Sequence, residues 1–189
     1  MLRAGDNSWK FLGTSVPLTA TAIRTSTVGW TGSYQQLRVE YYIAGYGGAA
    51  IARVVVGTTT PNEGAILMTS KQIVTALLVA GVVTNTPSIP GWPTAGGTPT
   101  NVARWGTMDI NNPPLAIKRM TGQGQYGGGP TAATPPIMFQ TAGMWINTTT
   151  EINAVSLVSY ATNVTTAAAL IGLGLLAGSY ITVWGRNNN

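Results

Sequence analysis

The chain has 189 residues, enough for one domain with a sizeable core and short for two. Hydrophobic residues make up 44% and charged residues 8%, a balance opposite to that of disordered chains, which are usually charged and poor in aliphatic residues. The net charge is +5, but the basic residues are scattered along the chain, which argues against the clustered patch that specific nucleic-acid binding requires.

The residue inventory also limits catalysis. The chain has no His and no Cys, which excludes nucleophile–His catalysis and ordinary zinc sites. Its five acidic residues are far apart in sequence, so paired-carboxylate chemistry is not indicated; they are Asp6, Glu40, Glu63, Asp109 and Glu151. A dinucleotide-type glycine spacing at 122–127 runs into further glycines and a proline, where no helix start is expected. We predict a protein that is not an enzyme, with no cofactor and no metal.

Short strands are predicted through the first third of the chain. Residues 9–13 and 23–30 indicate two of them. Residues 37–43 give the clearest pattern, because Leu37, Val39, Tyr41 and Ile43 share one face of a half-buried strand. A glycine-rich turn follows, and the β-branched run 50–59 is predicted to return as a hairpin partner of 37–44. On the polar face of 37–43, Glu40 beside Arg38 is typical of a surface ion pair.

Two long loops are predicted in the middle of the chain. The apolar run 73–83 fits a helix or a buried strand pair, and its valines and flanking turns favour strands. Residues 85–100 carry four prolines around Trp92 and are predicted to be an extended loop. Strands are expected at 103–110 and 115–120, and the glycine-rich segment 121–136 is predicted to be a second loop.

The last part of the chain returns to strands. Segments 137–139, 144–146 and 152–160 are further short strands, and 178–185 is a small-residue turn leading into a closing strand. On that strand Ile181 and Val183 point one way while Tyr180, Thr182 and Trp184 point the other. The stretch 164–184 is about as long as a membrane span, but its Thr, Ser and Gly residues favour an apolar loop or short helix before a buried strand.

These elements predict an all-β fold, a single antiparallel β-sandwich of jelly-roll type with long Gly- and Pro-rich loops. One domain covers 1–189, with 1–8 as an amino-terminal arm and 186–189 as a polar tail. A surface this poor in charge and rich in Thr, Asn, Gln and Gly suits a subunit largely covered by other subunits.

Four residues are predicted to contact other subunits. Trp92 with Pro93 and Tyr126 lie in the two predicted loops, where an aromatic residue either anchors an interface or covers its own core. Arg3 lies in the predicted arm. The other tryptophans lie in or beside strand segments and are predicted to belong to the core; they are Trp9, Trp30, Trp105, Trp145 and Trp184.

Several short motifs occur in order along the chain. They are Trp-x-x-Leu-Gly at 9–13, the alternating strand 37–43, Ile110-Asn111 followed by Lys118, Trp-x-Asn-Thr at 145–148 before Ile152, and Gly-Ser-x-Ile-x-Val-x-Gly at 178–185. Taken together, they resemble a family of small tailed-phage virion proteins. The resemblance spans nearly the whole chain. The loops 85–100 and 121–136 are longer than the family pattern, so contacts made by those regions in relatives are not carried over.

The resemblance implies a single β-sandwich that serves as a structural part of the virion. A capsid decoration (cement) protein is favoured, bridging and stabilising neighbouring major capsid protein subunits as a homotrimer on the capsid surface. The alternative is a tail fibre or tail-tip module that binds a receptor or glycan, and a membrane-associated protein ranks last. Neither specific nucleic acid nor membrane is an expected partner.

Overall fold

The computed structural model describes residues 8–16, 25–45, 50–57, 69–74, 79–85, 92–93, 103–126, 137–145, 148–161 and 174–187. The regular elements in these ranges are all strands. The first six are β1 (Lys10–Ser15), β2 (Thr25–Gly29), β3 (Gln36–Ile43), β4 (Ala50–Gly57), β5 (Thr69–Val74) and β6 (Val79–Asn85). The other six are β7 (Trp92–Pro93), β8 (Arg104–Asn111), β9 (Lys118–Tyr126), β10 (Ile137–Trp145), β11 (Ala154–Ala161) and β12 (Tyr180–Arg186).

The strands form two larger sheets and one hairpin. The six-stranded sheet has the order β1-β12-β3-β8-β9-β10, the four-stranded sheet the order β2-β11-β4-β7, and β5 pairs with β6. All neighbouring strands are antiparallel. The prediction of an all-β, antiparallel, sandwich-like fold is confirmed. Among the described residues, no helix has the length and apolar character needed to cross a membrane.

One hydrophobic core joins the two larger sheets. The inner face of the six-stranded sheet contributes the alternate residues of β3, which are Leu37, Val39, Tyr41 and Ile43, together with residues of β8, β9, β10 and β12. The four-stranded sheet contributes Val28, Val54, Val56, Val155 and Leu157. Burial alternates residue by residue along β3, as the sequence predicts for a strand with one face on the core.

The closing strand β12 lies between β1 and β3. Its residues Ile181 and Val183 are fully buried, as their alternation predicts. A turn just before it is fixed by Ser179, whose hydroxyl donates to the Leu176 carbonyl and accepts from the Ala44 amide. Gly178 in this turn has φ +88°, a left-handed conformation that glycine adopts without strain. The carboxy-terminal strand is therefore tied to both the first strand and the centre of the same sheet.

The predicted hairpin of 37–44 with 50–59 is wrong. β3 pairs with β12 and β8, whereas β4 belongs to the other sheet and pairs with β11 and β7. The chain crosses from one sheet to the other between these strands. Each of the two strands has apolar residues on a core-facing side, and that pattern fits partners in opposite sheets as well as partners in one hairpin.

The glycine-rich loop predicted over 121–136 begins later than expected, because Thr121–Tyr126 continues strand β9. Gly122 packs directly against the neighbouring strand: a Cβ atom there would lie 2.9 Å from Met108 Cγ and 3.0 Å from the Thr107 carbonyl oxygen. Glycine normally weakens strands, but here it permits close packing. The remainder of that loop, 127–136, lies outside the described residues.

The two other predictions for the middle of the chain have different outcomes. The run 73–83 is favoured as strands, and its described ends are strands: 73–74 end β5 and 79–83 lie in β6, its antiparallel neighbour. Residues 75–78 lie outside the described ranges. Within 85–100, predicted to lack any regular element, Trp92–Pro93 forms the short edge strand β7 beside β4. Proline is tolerated in edge strands, where its missing N–H need not serve a second neighbour.

Candidate binding face

The solvent side of the six-stranded sheet, here called the outer face, is built by the same alternation that builds the core. Its residues on the four central strands are Gln36, Arg38, Glu40 and Tyr42 of β3, Trp105, Thr107, Asp109 and Asn111 of β8, Arg119, Thr121, Gln123 and Gln125 of β9, and Tyr180, Thr182, Trp184 and Arg186 of β12. Successive side chains of a strand point to opposite faces. Because the apolar residues that alternate with the outer-face residues face the core, the outer-face residues point away from it.

Aromatic side chains form a row at one end of the outer face. Tyr180, Tyr42 and Trp105 lie opposite one another on three neighbouring strands. The rings of Tyr42 and Tyr180 stack with centroids 5.6 Å apart and planes 24° apart. Trp105 is 41% exposed and Tyr180 39% exposed, values well above those of the core residues. Rigid strands thus present apolar rings to solvent in a fixed arrangement.

A cleft of about 300 Å³ lies next to this row, and we call it the aromatic cleft. Its lining includes Glu40, Trp105, Thr107, Gln123, Gln125 and Tyr180. Gly106 and Gly124, which face each other on β8 and β9, also line it. The cleft therefore combines two exposed rings with amide, hydroxyl and carboxylate groups.

The other end of the outer face carries arginines. Arg38 and Asp109 form a two-pronged ion pair across β3 and β8, with Nε donating to Oδ1 at 2.8 Å and Nη2 to Oδ2 at 3.2 Å. The guanidinium carbons of Arg38 and Arg186 lie 4.9 Å and 4.7 Å from the centroid of the Trp9 ring, within cation–π range. Arg186 also donates from Nε to Gln36 Oε1 at 2.5 Å.

These groups surround a second hollow of about 350 Å³, here called the arginine hollow. Its lining includes Trp9, Gln36, Arg38, Asp109, Arg119 and Arg186. The hydrogen bond to Asp109 raises the pKa of Arg38. Desolvation lowers this pKa, and the negative charges of Asp109 and Glu40 raise it further, so the net change is upward. The lining carries three guanidinium groups and one carboxylate, that of Asp109. This excess of positive charge makes the hollow electropositive.

The ion pair of Arg38 differs from the predicted one, which joined it to Glu40. Residues i and i+2 of one strand are about 6.5 Å apart along the chain. Asp109 lies directly opposite Arg38 in the register of β3 and β8, where side chains approach more closely. Glu40 is left beside the aromatic cleft.

Three of the five acidic residues lie in the described part of the chain. Asp109 is engaged by Arg38, and Glu151 accepts a hydrogen bond from the Ser33 hydroxyl. Glu40 lines the aromatic cleft. In the described ranges, no three side chains of the His, Cys, Asp or Glu types come together as a metal-binding group. Asp6 and Glu63 lie outside those ranges.

Three of the four predicted contact residues lie in the described part of the chain, and they belong to two different sheets. Trp92 and Pro93 form β7 at the edge of the four-stranded sheet. Tyr126 is the last residue of β9 in the six-stranded sheet, opposite Arg104 and Ile137. Arg3 lies outside the described residues.

The outer face is not among the sequence predictions, because those predictions assign the strand tryptophans to the core. That assignment is right for Trp145, which is 2% exposed, and wrong for Trp105. Trp184 and Trp9 are partly exposed, and Trp30 packs partly buried against the core. The signal was present in the sequence: Met108 and Ile110 mark the inner side of β8, so Trp105 must lie on the opposite side.

Comparison of the chain with protein-family models, with curated proteins and with solved structures finds no match.

Proposed function

We propose that this protein is a structural component of a tailed-phage particle, a decoration protein that binds across neighbouring major capsid protein subunits and stabilises the shell. The observation that carries the proposal is the arginine hollow with Trp9 on the outer face. The motifs that resemble small virion proteins are the reason for proposing a phage particle as its location.

The arginine hollow has the composition of a protein interface. Trp, Tyr and Arg are the residues most enriched among those that dominate binding energy. Arg38 and Arg186 are already held by Asp109, Gln36 and the Trp9 ring, so little side-chain freedom is lost when a partner docks. The excess of positive charge selects an acidic patch on the capsid subunit.

Bridging requires a second contact surface. The edge strand β7 supplies one, because Trp92 and Pro93 end the four-stranded sheet and an edge is where a neighbouring chain can dock. We place contacts between copies of a homotrimer there, and assign Tyr126 and Arg3 to the same role. A trimer would then bind several capsid subunits at once and gain affinity from multivalency.

The first experiment is the copy number of this chain in purified particles, measured against the major capsid protein by mass spectrometry. Many copies in a simple ratio to that protein are expected. A handful of copies per particle would overturn the decoration role.

The second experiment tests the docking surface. Arg119→Glu reverses a charge in the arginine hollow, and we expect it to weaken binding to stripped capsids by about tenfold or more. Lys10→Glu makes the same charge change at an exposed position of β1 that does not line the hollow, and should bind nearly as well as the wild type. Equal capsid binding by the two variants would show that the arginine hollow is not the docking surface.

A second candidate function is favoured by the aromatic cleft. We infer that, if the copy number is low, the protein is a tail-fibre or tail-tip module that binds a receptor. Purified protein would then adhere to host cells and compete with infection. Failure of both assays would remove this candidate.

A further inference from the structure

We propose that the aromatic cleft binds a short neutral saccharide. This goes beyond the decoration role, which uses the arginine hollow, and it holds whether the protein sits on the capsid or on the tail. The cleft's volume of about 300 Å³ is at the lower end of the range of about 300–1,000 Å³ for small-molecule sites. A short saccharide matches that size.

The walls of the cleft suit the apolar side of a sugar ring. Trp105 and Tyr180 present ring surface to solvent, and Tyr180 is braced by stacking on Tyr42. A pyranose has a face of C–H groups that packs on an aromatic ring, which removes apolar area from water on both sides. Because the rings belong to strands of one sheet, they lose little freedom on binding.

The polar groups of the cleft suit sugar hydroxyls. A hydroxyl both donates and accepts hydrogen bonds, and so do the amides of Gln123 and Gln125 and the hydroxyl of Thr107. Glu40 adds a carboxylate, which accepts from hydroxyl donors. Two rings with amide and hydroxyl groups beside them allow a ligand to stack and to hydrogen-bond at the same time.

The charge of the cleft selects a neutral ligand. Glu40 is its charged lining residue and would repel a carboxylate or sulfate group on a sugar. The arginines that could hold such a group line the other hollow. A quaternary ammonium ion needs rings on several sides, whereas Tyr180, Tyr42 and Trp105 stand in one row across neighbouring strands.

The test is a titration of the purified full chain with a panel of neutral oligosaccharides, namely trimers of glucose, galactose, mannose and N-acetylglucosamine, followed by calorimetry and tryptophan fluorescence. Sialylated and sulfated sugars and choline complete the panel. We expect at least one neutral trimer to bind and the charged probes not to bind. Binding of none of the neutral trimers, or of charged probes alone, would overturn the proposal.

Variants locate the site. Trp105→Ala should lower the affinity by about tenfold or more, and Trp105→Phe, which keeps a flat ring, by less. Gln125→Ala removes only a hydrogen-bonding group and should lower the affinity severalfold, which keeps the test valid if Trp105→Ala folds poorly. Phe11→Ala is the matched control, because Phe11 is a 62% exposed aromatic residue that does not line the cleft. Saccharide binding that Phe11→Ala weakens and that Trp105→Ala and Gln125→Ala leave unchanged would overturn the assignment.

The two proposals can fail separately. Arg119→Glu should weaken capsid binding and leave saccharide binding unchanged, because of the two hollows Arg119 lines only the arginine hollow. Trp105→Ala should do the reverse.

Discussion

On strand β8, two neighbouring side chains lie on opposite faces of the six-stranded sheet: Arg104 is fully buried and Trp105 is 41% exposed. The inner face also buries Lys118, while the outer face exposes Tyr180. Residue type alone predicts the opposite placement, since cations are rarely buried and tryptophan usually is. The apolar residues of a strand decide which of its faces is buried. The remaining residues, such as Arg104 and Trp105, then take the face that their position in the alternation gives them.

The energetic reason can be read along β8. Turning the strand over would bury Trp105 but expose Met108 and Ile110, each of which gains about 1.5–3 kcal/mol from burial. Asp109 would enter the core in the same step, without water and away from Arg38. Burying one arginine is the smaller cost when its guanidinium keeps hydrogen-bond partners.

The largest effect is expected where the inner face is most tightly packed. A Cβ atom on Gly106 would overlap the Tyr41 hydroxyl and lie 2.6 Å from the Gln123 carbonyl oxygen. Gly106→Ala should lower the free energy of unfolding by about 1–3 kcal/mol through overpacking. The measurement is denaturant unfolding.

Gly29→Ala is the matched control for that change. A Cβ atom on Gly29 would meet only the Asn153 carbonyl oxygen, at 3.9 Å. This variant should be nearly as stable as the wild type or slightly more stable, since alanine restricts the unfolded chain. Equal losses in the two variants would contradict the packing explanation.

A smaller effect, with a pH signature, is expected at Lys118. Burial lowers the pKa of Lys118 from its ordinary value of 10.5, while the charge of Glu151 acts in the opposite direction. Between the lowered folded value and 10.5 the unfolded chain binds more protons, so the free energy of unfolding should rise with pH across that interval. Lys118→Met should remove this rise and, at pH 7, leave the stability unchanged or raise it by about 1 kcal/mol.

Unfolding curves of the wild type and the Lys118 variant at neutral and alkaline pH measure this difference. Arg119→Met changes the adjacent residue, which lies on the outer face, and should keep the wild-type pH dependence. A large loss of stability at pH 7 in Lys118→Met would show that the buried ammonium is fully compensated by its surroundings, including the Trp145 ring 5.8 Å away.

The smallest effect is expected from the outer-face ion pair. Arg38 and Asp109 have side chains 42% and 53% exposed, so water and salt screen their attraction. Asp109→Asn should cost at most about 1 kcal/mol, and the cost should shrink at high salt. A double-mutant cycle with Arg38→Gln isolates the pair, and a coupling energy that does not change with salt would contradict this interpretation.

Much of the fold follows from the sequence because alternation is local. The spacing of Leu37, Val39, Tyr41 and Ile43 is enough to assign the faces of β3, and the same rule applied to β8 would have placed Trp105 outside. The candidate site was missed because tryptophans were assigned by type rather than by their position in the alternation. The loop prediction at Gly122 is wrong because the reason for a glycine in this strand is its close packing against Met108 and Thr107 of the neighbouring strand. Local strand propensity carries no information on such contacts.

The all-β class of this protein and most of its strand positions follow from the sequence alone, because both depend on the period of neighbouring side chains. Which strands pair does not follow from the sequence pattern and is known from the folded chain. β3 joins β12 and β8 rather than β4, and this brings Tyr180, from the end of the chain, beside Tyr42 and Trp105. Pairing depends on the burial of surfaces that are distant in sequence, and many registers satisfy the same alternation until all the sheets are packed together.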